Sequence, residues 1–110
     1  MVRGTVITIK PSESAGDKPR PAIVVQSDDF ETPDTLIIIP LTSEIANNLL
    51  TLPVIVPDDT NGLREPSRLM TNRMTGAARF QIGRVIGRIS VRDMERVDAA
   101  LMLALGLGRT

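Results

Sequence analysis

Strand-like segments first and one amphipathic segment last predict a mainly β protein: a small, strongly curved antiparallel sheet or barrel with one C-terminal helix. Two features predict it. Short apolar, β-branched runs bounded by proline or turn residues recur from Thr5 to Ile89. From Val91 onward the apolar positions switch to three- and four-residue spacing. A chain of 110 residues without repeats or long linkers fits a single domain, 1–110.

Thr5 to Lys10 reads as the first strand, stopped by Pro11. Residues 11–19 are rich in Ser, Gly and Pro and read as a loop placed to fold over the start of the next strand. Ala22 to Gln26 is the second strand, and Asp28 to Thr35 a polar loop. Thr35 to Ile39 is the third strand; its unbroken Leu-Ile-Ile-Ile run calls for burial on both faces, or for one face on the core and one at an oligomer contact. Thr42 to Leu50 fits a helical turn or loop, with Ser43 at its N-cap and Ala46 at N3. Leu52 to Val56 reads as a strand between Pro53 and Pro57, and Asn61-Gly62 centres a turn. Leu69 to Thr75 and Arg84 to Ile89 are the last strands, with Gly83 and Gly87 marking bulges or close packing. Ser90, with Asp93 three residues on, caps a helix whose stripe is Val91, Met94, Val97, Leu101 and Leu105, closed by Gly106. Met70 and Met74 read as core or dimer-seam residues.

Composition excludes several chemistries. Without Cys there is no disulfide, thiol nucleophile or thiolate metal site, and without His only oxygen ligands are left. The run Asp28-Asp29-x-Glu31 reads as a solvated loop, so neither a metal nor another cofactor is expected. The N-terminus enters a strand pattern with no signal-type apolar region, and no run is long enough to span a membrane. A soluble cytoplasmic protein with no membrane partner is expected. The formal net charge is zero, but residues 1–63 carry four basic and nine acidic groups, whereas residues 64–96 carry eight arginines and three acids. Such polarity suits either a nucleic-acid face or two complementary faces of a homodimer.

With no His, Cys, Tyr or Trp, few side chains can do chemistry. The first candidates are Arg20, at the head of the second strand, and Thr42 and Ser43, just past the third. Arg20 can direct a planar pair of donors at a phosphate, and the two hydroxyls can donate to it or orient it. Arg68, Arg73, Arg79 and Arg84 are candidates to track a phosphate backbone. Phe30 and Phe80 are the only aromatics, too few for a base-stacking platform.

Arg20-Pro-Ala-Ile-Val-Val-Gln, an apolar strand ending Pro-Leu-Thr-Ser, Asn-Gly-Leu then Pro-Ser, Ile-Gly-Arg-Val-Ile-Gly-Arg-Ile and a final helix ending Leu-Gly-Leu follow in order from Gly4 to Leu107. This order resembles the MazF/PemK/Kid family of toxin endoribonucleases. The resemblance implies an SH3-like barrel, a homodimer, a cognate antitoxin, and cleavage of single-stranded RNA, often mRNA. The products would be a 2′,3′-cyclic phosphate and a 5′-hydroxyl, formed without a metal. It assigns catalysis to Arg20 and Thr42 and substrate contact to Ser43 and to the stretch Thr71-Asn72-Arg73. Thr71 stands where some family members carry an assisting aspartate, and it is no base near neutral pH. Asp17, Glu13 and Asp28 are the carboxylates expected to supply one. Two alternatives stay open: a gyrase-poisoning toxin on the same fold, against which the chain lacks the Trp-Gly-Ile tail, and a non-catalytic binding module.

Overall fold

The third strand organises the sheet. In the computed structural model, which describes residues 1–10, 19–45 and 52–108, the seven strands are β1 (Thr5–Ile9), β2 (Arg20–Val24), β3 (Thr35–Thr42), β4 (Val54–Ile55), β5 (Ser67–Leu69), β6 (Thr75–Ala78) and β7 (Ile82–Arg88). The helix α1 spans Val91–Leu105. Their order in the antiparallel sheet is β4-β5-β3-β2-β1-β7, with β6 added beside β3. Alternate residues of β3 face opposite sides. Leu36 and Ile38 join Ile7, Ala22, Val24 and Ala77 in one cluster, and Ile39 and Leu41 join Val6, Ile23, Ile55, Leu69 and Val97 in the other. The apolar run is therefore buried on both faces, as its composition requires.

One edge of β3 is covered by β2; the other is covered by two partners in succession, β6 along Thr35–Ile38 and β5 along Leu41–Thr42. This corrects the expected continuous strand from Leu69 to Thr75. A 3₁₀ turn at Thr71–Arg73 breaks it, closed by Arg73 N–H to the Met70 carbonyl at 2.8 Å. The turn lets one stretch of chain leave β3 and rejoin it further along, a demand set by the length of β3 rather than by local propensity.

Other boundaries shift for similar reasons. β3 runs on to Thr42 because β5 gives it a partner there, and β2 starts at Arg20 because Ile9 of β1 pairs with it. β7 begins at Ile82, also opposite Ile9. β4 keeps only Val54–Ile55, since the preceding Pro53 has no N–H to give and uses its carbonyl to accept from Leu69 N–H. Ser43 caps no turn among the described residues; instead the Thr42 hydroxyl oxygen accepts from Glu44 N–H at 3.2 Å. Ala46 lies outside the described residues.

The sheet curls until its two ends meet. The turn after β4 docks on β7, where Arg88 N–H donates to the Thr60 carbonyl at 2.8 Å. Gly62 sits in this contact at φ +71°, and a Cβ there would lie 2.1 Å from the Ile86 carbonyl oxygen. Gly83 marks a register shift between β1 and β7; a Cβ would lie 2.4 Å from the Thr8 hydroxyl, which accepts from Arg84 N–H at 2.9 Å.

Ser90 caps α1 as expected, accepting from Asp93 N–H at 3.0 Å. Val97 and Ala100 are buried beneath it, with Met94 and Leu101 against the same cluster. Arg3 ties the helix to the sheet, donating to Asp98 at 2.6 Å and to the Val25 carbonyl at 2.8 Å. The two ends of the expected stripe are not covered: Val91 is 78% exposed and Leu105 54%. Among the described residues no helix is long and apolar enough to cross a membrane.

The turn at 58–62 holds the curl through Asn61, whose side chain is fully buried. Its amide donates to the Val56 carbonyl at 2.9 Å, and its oxygen accepts from Leu63 N–H at 3.0 Å. Replacing Asn61 by Ala strands both groups and should lower unfolding free energy by about 2–3 kcal/mol in urea titration. Asp58 accepts from the backbone N–H groups of Thr60 and Asn61 and from the Thr60 hydroxyl, and these bonds hold its carboxyl below its usual pKa. Its stabilising effect is present above the unfolded-state pKa and disappears as pH falls through the lower folded-state value. The stability difference between wild type and Asp58→Asn should therefore be full at neutral pH and shrink on titration below about pH 4.

Candidate active site

Arg20 begins β2 between two prolines. Pro19 and Pro21 lack N–H groups and restrict the backbone on either side, so the strand start is stiff before any side chain packs. Pro21 pairs with Thr8 and Arg20 with Ile9, so β1 braces the segment along its length. On the other side the β2–β3 register sets Ala22 across from Pro40. The pairing ends there, two residues short of Arg20 on one strand and of Thr42 on the other, so both stand at the same end of the sheet.

Both residues line a cleft of about 830 Å³. Ser43 and Glu44 continue its wall from the end of β3, and Leu63, Arg64 and Glu65 enter from the segment that the Asn61 turn holds against β7. Arg84 and Ile86 of β7 and Thr8 of β1 complete it. Four of the residues expected from sequence thus converge: Arg20, Thr42, Ser43 and Arg84. The cleft offers three guanidinium groups, several hydroxyls and the two carboxylates of Glu44 and Glu65.

The other expected residues lie elsewhere. Arg68 is 6% exposed, and its guanidinium donates to the carbonyls of Leu52 at 3.0 Å and Ile45 at 3.4 Å. It pairs with Thr42 through the backbone but is not placed to track an RNA, because a buried guanidinium is held by the carbonyls that compensate its burial. Thr71 is 5% exposed in the 3₁₀ turn, whose residues contact α1. Asn72 and Arg73 are exposed on that turn and do not line the cleft. Arg79 lines a second cavity, of about 890 Å³, beyond the far end of β2, and donates to the Thr32 carbonyl at 2.9 Å. That cavity is slightly larger, yet the convergent cations and hydroxyls are in the first.

Asp28 lines the second cavity and accepts from Arg3 N–H at 2.8 Å, so it stands at the wrong end of β2 to serve Arg20. Glu13 and Asp17 lie outside the described residues. Glu44, Arg64 and Glu65 were the functional candidates that residue types alone did not single out. Their signal was positional: Glu44 follows Ser43 directly, and Arg64-Glu65 sits inside the Asn-Gly-Leu to Pro-Ser interval. Among the described residues no group of three or more carboxylates is placed to hold a metal ion.

The model of PemK-like, MazF-like toxins of type II toxin–antitoxin systems matches residues 2–105. The chain belongs to this toxin family, a family of endoribonucleases. It is 31% identical over 107 residues to a probable endoribonuclease MazF of Mycolicibacterium smegmatis, covering 97% of this chain and 98% of that protein. It is 29% identical over 100 residues to endoribonuclease MazF9 of Mycobacterium tuberculosis, covering 86% and 84%. Its fold is similar to that of a mycobacterial endoribonuclease solved in complex with its cognate antitoxin, with a TM-score of 0.78 at 19% identity over 100% of this chain and 97% of that one. The Mycobacterium tuberculosis toxin MazF-mt6 gives a TM-score of 0.76 at 20% identity, over 94% and 97%. The expected small curled sheet with a C-terminal helix is the family's fold.

The Thr71 hydroxyl has no hydrogen-bond partner among the described residues. Removing an unpaired buried hydroxyl at constant shape is neutral or favourable. Thr71→Val should therefore match or exceed wild-type stability to within about 0.5 kcal/mol in urea unfolding, and a loss above about 2 kcal/mol would mean that the hydroxyl is bonded.

Proposed function

We propose that this family member cuts single-stranded RNA, mRNA foremost, in the Arg20–Thr42 cleft, as a cytoplasmic homodimer that a cognate antitoxin neutralises. The observation that carries the reading is the convergence of Arg20, Thr42, Ser43 and Arg84 on one cleft at the mouth of the sheet. In the reaction the ribose 2′-oxygen bonds to the adjacent phosphorus, the bond from phosphorus to the 5′-oxygen breaks, and a 2′,3′-cyclic phosphate is left. Charge builds on the non-bridging oxygens, where Arg20 offers paired donors and Thr42 a hydroxyl. Ser43 and Arg84 hold the neighbouring backbone. Glu44 and Glu65, the carboxylates that line the cleft among the described residues, join the candidates to accept the 2′-hydroxyl proton, and Asp28 leaves them. The 5′-oxygen takes its proton from water.

Antitoxin binding follows the same charges. An acidic segment entering the cleft would meet Arg20, Arg64 and Arg84 and exclude RNA. The uncovered apolar end of α1, with Met102, Leu103 and Leu105 about half exposed, is the surface we assign to the homodimer.

The test is incubation of the purified protein with a long unstructured RNA in EDTA, with both fragment ends mapped. Discrete cuts bearing cyclic phosphates are expected. Arg20→Ala should slow them by at least about 100-fold, the cost of losing a donor to the developing charge. Thr42→Ala should also reduce them. Intact RNA from folded wild-type protein would overturn the reading and favour a gyrase-directed or purely binding role.

A further inference from the structure

The guanidinium of Arg68 bonds the backbone at two places near the cleft. Its strand, β5, lies between β3 and β4, and its backbone faces Thr42 on one side and Val54 on the other. Its guanidinium then reaches along the sheet end to two carbonyls on separate segments, Ile45 and Leu52. Ile45 is three residues past Thr42, and Leu52 leads into β4. One buried cation thus joins the chain leaving the cleft to the chain entering the next strand.

The run from Thr42 to Ile45 governs the Thr42 hydroxyl. That hydroxyl accepts from Glu44 N–H at 3.2 Å, so the lone pair left for other partners depends on where Glu44 and Ile45 run. A planar fork with fixed donor directions can satisfy two carbonyls at once. The single ammonium of a lysine cannot reproduce that geometry. We propose that Arg68 is a positioning residue, which sets Thr42 and Ser43 in the cleft by clamping the backbone at Ile45 and Leu52. It touches no RNA. The inference rests on the proposed catalytic role of Thr42, and its structural half can be tested without RNA.

The experiment compares wild type, Arg68→Lys and Arg68→Met, each also carrying Thr42→Ala, after thermal melting has established that each is folded. Amide hydrogen exchange is measured on the free proteins. Exchange across residues 41–45 and 52–54 should rise about tenfold in Arg68→Met, less in Arg68→Lys, while α1 keeps wild-type protection. In RNA cleavage, kcat should fall by about 10- to 100-fold with KM within about threefold, because misplacement costs turnover rather than binding. In the Thr42→Ala background the same change at position 68 should cost less than about threefold, the mark of two residues acting as one unit.

Unchanged exchange at 41–45 would overturn the clamp. Equal losses of kcat in both backgrounds would overturn its action through Thr42, and a rise in KM alone would make Arg68 a phosphate contact instead. If Arg68→Met does not fold, Arg68→Lys decides on the same measurements. A wild type that leaves RNA intact sinks the nuclease reading, while exchange still decides whether the clamp exists.

Discussion

An eight-residue strand buried on both faces is the constraint from which the rest of this structure follows. Leu36, Ile38, Ile39 and Leu41 can leave water only if covering layers exist above and below β3 and if hydrogen-bonding partners run along both its edges. β2 meets the demand on one side. On the other, β6 and β5 share it, and the 3₁₀ turn between them is the cost of using one continuous stretch twice. The site is a by-product of this arrangement. β2 carries Arg20 to the sheet end where β3 stops at Thr42, and the closing contact between the Asn61 turn and β7 brings Arg64, Glu65 and Arg84 over them.

The arginines divide by role once the fold is known. Of the eight between residues 64 and 96, only Arg64 and Arg84 join Arg20 in the cleft. Arg68 is buried between strands, Arg79 bonds the Thr32 carbonyl, and Arg96 bonds Asp93 and the Val54 carbonyl. The basic block is therefore spread over several parts of the fold. Among the described residues the guanidinium groups of Arg3, Arg68, Arg79 and Arg96 fasten backbone carbonyls, since their five donors reach several acceptors at once. The cleft gathers three guanidinium groups and two carboxylates in one concave wall, so its charge is set by local convergence rather than by the total.

Much of the fold was legible in the chain. β-branched runs, four of them bounded by proline, announced strands at five of the seven positions, and the Ser90-to-Gly106 frame announced the helix with its caps in place. Arg20, Thr42 and Ser43 stood out because so few other side chains can do chemistry. The failures share a cause. Leu69 to Thr75 reads locally as one strand, and only the two-part edge of β3 breaks it. Thr71 and Arg68 look like polar surface in sequence, yet the first is packed in a tight turn near α1 and the second is buried with its guanidinium on the Ile45 and Leu52 carbonyls. Glu65 is marked only by its place between Asn-Gly-Leu and Pro-Ser.

The sequence by itself determined the element types and their order outside residues 67–78, the absence of thiol and imidazole chemistry, and the stiff, proline-flanked placement of Arg20. These depend on side-chain shape, backbone restriction and residue inventory, which act over a few neighbours. Tertiary structure alone decided which charges share a cleft and which are spent on backbone carbonyls. Those outcomes depend on contacts between residues far apart in the chain, such as Arg88 with Thr60 or Arg68 with Ile45, and no local pattern encodes a distance across the sheet.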